Sequence, residues 1–361
     1  MSTQYVVRPE ISELTSYHVQ PAAGLTKLDA MENPFAFPES LRAGLSEALA
    51  KASLNRYPPA GADALKQATR NAMQVPGELD ILLGNGSDEI IQLIAMAAAK
   101  PGATLLSVEP AFVMFKMIAT FCGLRYVGVP LRADFTLDVE ATVATVRESK
   151  PAVTFLAYPN NPTGNLFDRD AIDAVIAATA EYGGLVVIDE AYFAFSTESF
   201  LNRITGYPNA VLMRTVSKLG LAGIRLGMLF GRSQWLNEFD KLRLPYNINA
   251  LTQAAAMFAM QHYDAMLAQT RLLQDERTRL AAALSALPGV TVFPSAANFI
   301  LVRFADPLNA TQTFDALLSR RILVKNTSNA HPLMSNTLRL TVGTPDENDA
   351  LIAALQELIR P

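Results

Sequence analysis

A chain of 361 residues with 50 % apolar and 18 % charged side chains can bury a continuous core across about two domains, which excludes a disordered or low-complexity protein. Thirty Lys and Arg against 34 Asp and Glu leave a formal charge of −4, without the basic excess that nucleic-acid binding requires. One cysteine, Cys122, and three scattered histidines, His18, His262 and His331, exclude an internal disulfide and offer no metal-ligand spacing.

In chain order, residues 1–35 are mixed and punctuated by proline, and read as an arm packing on the smaller domain or on a partner subunit. Residues 1–10 carry Arg8 and Glu10 with no apolar h-region, and no stretch reaches the ~18 apolar residues of a membrane span, so the expected address is the cytoplasm. A helix is expected from Ser40, with Ser40 as its cap and Leu41, Leu45, Ala48, Leu49 and Ala52 at helical spacing, stopping before Tyr57-Pro58-Pro59. Apolar runs at 79–83, 104–108, 125–129, 152–157, 185–188 and 210–215 then alternate with helical stretches to 99, over 112–121 and over 170–182. That is the rhythm of βαβ units with strands buried on both faces. After Pro245 the pattern changes: 251–287 is nearly unbroken helix-forming sequence, long enough to require a bend. Strands at 290–293, 299–304, 322–324 and 338–342 follow, with helices at 311–318 and 347–359. The expected organisation is α/β, with a large domain over 36–250 and a small α+β domain over 251–361.

Four stretches at strand ends carry chemistry. Gly84-Asn85-Gly86-Ser87-Asp88-Glu89 is a glycine turn opening a helix, with Ser87 as N-cap; such a turn offers backbone N–H groups and a positive dipole end to an anion. The dinucleotide fingerprint is broken, because Glu89 occupies its third glycine position. Asp189-Glu190-Ala191-Tyr192 follows a buried strand; a triphosphate-metal role would need a P-loop that the chain lacks, which leaves a carboxylate paired with a ligand cation or an acid capping a neighbouring helix. Tyr158-Pro159-Asn160-Asn161-Pro162-Thr163-Gly164 is a turn that brings the Asn161 amide to the same edge. In the stretch from Arg214 to Gly227, Lys218 directly follows an apolar strand, and three glycines with Arg225 come after it. A lysine there can lose its charge to burial and act as a nucleophilic amine, with Ser217 and Arg225 as anion donors.

Taken together, these motifs resemble the fold-type I aminotransferases that depend on pyridoxal phosphate, and within them the histidinol-phosphate aminotransferases. The resemblance runs from Leu28-Asp29-Ala30-Met31-Glu32-Asn33-Pro34 through Asn161-Pro162-Thr163-Gly164, Asp189-Glu190-Ala191-Tyr192 and Ser217-Lys218 to Arg339-Leu340-Thr341-Val342-Gly343-Thr344. It implies a mostly parallel seven-stranded sheet in the large domain. It implies that Lys218 bonds the cofactor aldehyde and moves protons, that Asp189 holds the pyridine nitrogen protonated, and that Asn161 and Tyr192 bond the phenolic oxygen. Gly86, Ser87, Asp88, Ser217 and Arg225 would hold the phosphate, joined by Tyr57 from the other subunit of a homodimer with shared active sites. Phe112 stands where relatives carry a stacking tyrosine, so only stacking carries over. Arg339 would bind the substrate carboxylate, Lys325 stands where many relatives have arginine, and Tyr17 and Asn33 would help close the substrate pocket. The implied reaction passes an amino group from L-glutamate to imidazole-acetol phosphate, giving 2-oxoglutarate and L-histidinol phosphate. The alternatives on the same scaffold are an aromatic amino acid aminotransferase and a phosphothreonine decarboxylase.

Overall fold

A computed structural model describes residues 6–16 and 19–359. Strand β1 (Thr26–Lys27) lies in the arm. Next come β2 (Asp80–Asn85), β3 (Thr104–Glu109), β4 (Arg125–Pro130), β5 (Val153–Ala157), β6 (Leu185–Asp189), β7 (Ala210–Thr215) and β8 (Leu226–Gly231). These seven form one sheet in the order β2-β8-β7-β6-β5-β3-β4. Every residue of β5, β6, β7 and β8 is buried, as expected of strands covered by helices on both faces. β3, β4, β5, β6 and β7 pair in parallel, whereas β8 runs antiparallel to both β2 and β7. Glu109, Ala157, Asp189 and Thr215 therefore end their strands along one edge, where open α/β sheets hold ligands.

The seventh strand, β8, falls within and beyond the stretch read as a ligand-approach loop. Its glycines hid it: Gly227 and Gly231 bracket Met228-Leu229-Phe230, and strand interiors seldom carry glycine. Gly227 has a packing reason, since a Cβ there would lie 2.6 Å from both the Gly86 carbonyl carbon and the Ser87 nitrogen. Backbone cannot yield as a side-chain tip can. Gly227→Ala is therefore expected to cost about 1–3 kcal/mol by overpacking and to spread the turn at Gly86; a denaturant midpoint equal to wild type would contradict this contact.

Helices Asp63–Met73, Val139–Ser149 and Ser233–Asp240 were not anticipated. The two expected serine caps are corrected. Helix Glu39–Ala50 starts after Pro38, so Ser40 sits inside the first turn, and helix Ser87–Ala98 is capped by Gly86. Neither helix has a side-chain cap bond, and the Ser87 hydroxyl is thereby left to the cavity it lines. The expected bend in the long helical run falls at His262, between helices Ala250–Gln261 and Tyr263–Ser285.

The second sheet contains β9 (Val290–Val292), β10 (Phe299–Phe304), β12 (Lys325–Asn326) and β13 (Thr337–Thr341), all antiparallel, in the order β12-β13-β10-β9. The arm is sewn to this layer. β1 pairs in parallel with β11 (Ile322–Leu323), the Thr341 N–H donates to the Leu28 carbonyl at 3.0 Å, and Asn298 Nδ2 donates to the Met31 carbonyl at 3.0 Å. Leu28 is 1 % exposed, which anchors the segment in the core.

Candidate active site

At the carboxyl edge of the large sheet lies a cavity of about 210 Å³. Its lining includes Ser87, Asp88, Phe112, Asn161, Asp189, Tyr192, Ser217, Lys218 and Arg225, together with Ala30, Met31 and Glu32 from the arm. Residues separated by nearly 200 positions meet there because each follows a strand end or, for residues 30–32, an anchored segment.

Lys218 sits in a single 3₁₀ turn, Ser217–Leu219, closed by Gly220 at φ 107°. Only glycine adopts that angle freely. Lys218 Nζ donates to the Ala30 carbonyl at 3.1 Å and lies 5.9 Å from the centre of the Tyr192 ring. Burial, with the Arg339 charge adding to it, brings the Lys218 ammonium down to about 8. Asp189 ends β6, and its Oδ1 accepts from the Ala191 N–H at 3.0 Å. Burial nevertheless pushes its carboxyl up to about 7. Asp88 is also raised by burial, opposed by the charges of Arg225 and Lys218; Arg225 approaches its carboxylate at 3.6 Å.

A hydrogen-bonded chain crosses the cavity wall. Arg339 donates to Asn161 Oδ1 at 2.7 Å and to the Asp29 carbonyl at 2.8 Å, while Asn161 Nδ2 donates to the Tyr192 hydroxyl at 3.1 Å. The Phe299 ring packs edge-on against Tyr192, with centroids 5.2 Å apart. Behind this wall, Arg214 on β7 donates twice to Glu190 Oε2, at 3.0 and 2.8 Å, and Glu190 Oε1 accepts from the Phe200 N–H at 2.6 Å. The pair is buried. It ties the end of β6, which carries Asp189, to the strand leading into Lys218, so both groups stand on one rigid support.

Other expected residues lie elsewhere. Tyr57 is 79 % exposed and stacks on Tyr246 at 4.4 Å, outside the cavity. Asn33 holds the Lys218 turn from behind, donating to the Leu219 carbonyl and to Gln269 Oε1, each at 3.3 Å. Lys325 does not line the cavity, although it is the register partner of Arg339 across β12 and β13. Gly86 lies under Arg225, where a Cβ would come within 2.5 Å of the guanidinium. Tyr17 is outside the described residues. Sequence reasoning gave no individual role to Glu32, Glu190 or Arg214. Glu32 and Glu190 sit inside quoted motifs and Arg214 opens one, yet nothing in a linear pattern tells which of them faces a cavity and which a core.

Comparison with known proteins decides the family. The class I and II aminotransferase model matches residues 23–355. The chain belongs to the class I and II aminotransferases. This aminotransferase is 55 % identical over 353 residues to histidinol-phosphate aminotransferase 1 of Burkholderia lata, covering 98 % of each chain, and 51 % identical over 356 residues to the histidinol-phosphate aminotransferase of Chromobacterium violaceum, covering 99 % of this chain and 98 % of the other. Among solved structures it resembles the histidinol-phosphate aminotransferase of Sinorhizobium meliloti in complex with pyridoxal-5'-phosphate, with a TM-score of 0.86, 26 % identity and 98 % coverage of both chains. The aminotransferase is thus of a pyridoxal-phosphate-dependent class, and its cavity fits that cofactor. Asp189 is a buried carboxyl with no ion-pair partner among the described residues, which suits a protonated ring nitrogen. The N-terminus of helix Ser87–Ala98, the Ser87 and Ser217 hydroxyls and Arg225 lie together in the lining, a donor set that would fit the cofactor's phosphate. Lys218 is a buried amine in the same lining that would suit the cofactor's aldehyde. No helix among the described residues is long and apolar enough to cross a membrane.

Proposed function

We propose that this enzyme moves an amino group between L-glutamate and imidazole-acetol phosphate, yielding 2-oxoglutarate and L-histidinol phosphate, as a step of histidine biosynthesis in the cytoplasm. One observation carries the chemistry: the Lys218 amine and the Asp189 carboxyl share one cavity and are displaced towards each other, to about 8 and about 7. The relatives' names carry the substrate.

When bound, pyridoxal phosphate supplies an aldehyde that accepts amines and a ring that withdraws electrons from them. The protein's residues do the rest. Lys218 Nζ, uncharged in a large fraction near pH 8, is the nucleophile that holds the aldehyde and the base that takes and returns the substrate's α-proton. Asp189 stays ionised beside a cation, since an opposite charge favours the charged form, and so holds the ring nitrogen protonated. Asn161 and Tyr192 donate to the ring oxygen, Phe112 covers the ring, and Arg225 with Ser87, Asp88 and Ser217 seats the phosphate. Arg339, whose two bonds to Asn161 and Asp29 fix its guanidinium, receives the α-carboxylate of glutamate or the phosphate of histidinol phosphate. Because one base serves both half-reactions, the kinetics are ping-pong.

The working form is a homodimer with shared active sites. Tyr57 lies outside its own chain's cavity; Leu54, three residues before it, Tyr246, which stacks on it, and Leu244, two residues before Tyr246, are 75 %, 41 % and 73 % exposed, an apolar surface suited to a second copy. The division into an arm over 1–35, a cofactor-binding domain over 36–250 and a small domain over 251–361 belongs to the same reading. Helix Ala250–Gln261 straddles that boundary and packs on helices Glu39–Ala50 and Asp63–Met73.

The test is a half-reaction: the cofactor absorbance of the holoenzyme should shift on mixing with L-histidinol phosphate or L-glutamate, and far more slowly with L-phenylalanine or phosphothreonine. Faster conversion of phenylalanine would overturn the substrate reading. Arg339→Ala is expected to raise KM for glutamate about 10–100-fold, the worth of a charge-assisted bond, while cofactor affinity changes far less. If KM for glutamate is unaltered, its carboxylate is bound by another group.

A further inference from the structure

Three carboxylates line the cavity: Asp189, Asp88 and Glu32. Asp189 lies deep at the end of β6, and Asp88 faces Arg225 at the phosphate seat. Glu32 has no part in the reading above. It lines the cavity beside Ala30, whose carbonyl holds Lys218, and its charge reaches that lysine, opposing the loss of its proton. Its Oε2 meets the Lys27 ammonium at 2.5 Å, and among the described residues no hydrogen bond engages Oε1.

The backbone is bent to bring it there. Met31, the residue before it, holds φ at 52°, in the left-handed region that methionine rarely enters. Such a conformation persists only where surrounding bonds impose it, and it clusters at ligand sites. Here the Met31 N–H donates to Thr341 Oγ1 at 3.1 Å and the Met31 carbonyl accepts from Asn298 at 3.0 Å. Ala30, one residue earlier, holds Lys218 through its carbonyl. A segment clamped on both sides therefore sets Glu32 in the cavity lining, with its half-exposed carboxylate tethered through one oxygen to Lys27.

Resting on the proposed substrates, the chemistry narrows what that carboxylate meets. L-histidinol phosphate carries a phosphate where glutamate carries its α-carboxylate, and an imidazole where glutamate carries its side-chain carboxylate. One end of the cavity must therefore take an imidazole N–H in one half-reaction and a carboxylate in the other. We infer that Glu32 accepts the imidazole N–H of histidinol phosphate through its free oxygen, and that Lys27, its ion-pair partner, offsets its charge when the glutamate side chain occupies the same place. Glu32 is thus a specificity residue for the imidazole end of the substrate, and it disfavours substrates whose distal end is purely apolar.

The test uses holoenzyme carrying Glu32→Gln or Glu32→Ala, each checked for its cofactor absorbance band. The ratio of kcat/KM for L-histidinol phosphate to kcat/KM for L-glutamate is expected to fall about tenfold or more in Glu32→Ala and less in Glu32→Gln, which keeps an acceptor oxygen. The change should reside in KM. Calorimetry in the Lys218→Ala background, where binding proceeds without turnover, should show the same loss of affinity for L-histidinol phosphate. An unchanged ratio in Glu32→Ala, or an equal fall for both substrates, overturns the assignment while leaving the proposed reaction standing. If the wild-type enzyme does not convert L-histidinol phosphate at all, both fall together.

Discussion

Lys218→Ala is expected to lower transamination by about 10⁴-fold or more, with the fold retained. The loss is large because, in the proposed mechanism, one atom, Nζ, does two jobs: it bonds the aldehyde and carries the proton, and a positioned base alone is worth about 10²–10⁴. No neighbouring group replaces it. Among the cavity's side chains the other cation is Arg225, which cannot give up its proton, and the carboxyls are not amine nucleophiles. Stability should move the other way in the cofactor-free protein. The folded-state value of Lys218 lies below that of an unfolded lysine, so the unfolded chain binds the extra proton between about pH 8 and 10.5 and wild-type stability rises with pH across that window. Below pH 8 the wild-type protein carries the full penalty of a buried ammonium, and the alanine variant does not. Chemical denaturation at pH 7 should find the variant at least as stable as wild type, and normal turnover in it would refute the assignment.

Asp189→Asn is expected to keep the cofactor but slow turnover by two to three orders of magnitude, the effect of losing one preorganised electrostatic partner. An amide cannot hold a ring nitrogen in its cationic form. In the cofactor-free protein the sign again reverses. The carboxyl is raised from 3.8 to about 7 by burial, so the folded chain binds the extra proton across that window and stability falls as pH rises through it. Above pH 7 the penalty is complete, on the order of 4 kcal/mol at most, and Asn removes it. A variant that turns over at the wild-type rate, or whose apoprotein is less stable at pH 8, would contradict the role of this buried acid. Both sites thus trade stability for function in the empty protein.

Most strands of the large sheet were legible because they are apolar runs closed by turn residues, with β5, β6 and β7 buried throughout, so their positions followed from the pattern along the chain. β8 was not, since Gly227 exists to let backbone pass 2.6 Å from the turn at Gly86, and a close approach between residues 140 positions apart leaves no local signal. Helix Val139–Ser149 is mostly exposed on its outer face and buries only Thr142 and Val146, too few for a clear apolar stripe. The lysine and aspartate of the site were legible because they interrupt apolar strand ends. Glu190 and Arg214 were not, because a buried ion pair is visible only once two strands lie side by side. Glu32 was missed for a related reason: it reaches the cavity from the arm next to Met31 at φ 52°, a backbone turn that a sequence pattern does not encode.

A covalent link between Lys218 and the cofactor underlies the proposed chemistry, and borohydride reduction of freshly purified holoenzyme followed by peptide mass mapping tests it directly. The expected result is a pyridoxyl-phosphate adduct on the peptide containing Lys218 and bleaching of the cofactor's absorbance band. An unmodified Lys218 in protein reconstituted with pyridoxal phosphate, or an adduct on a different lysine, would contradict it.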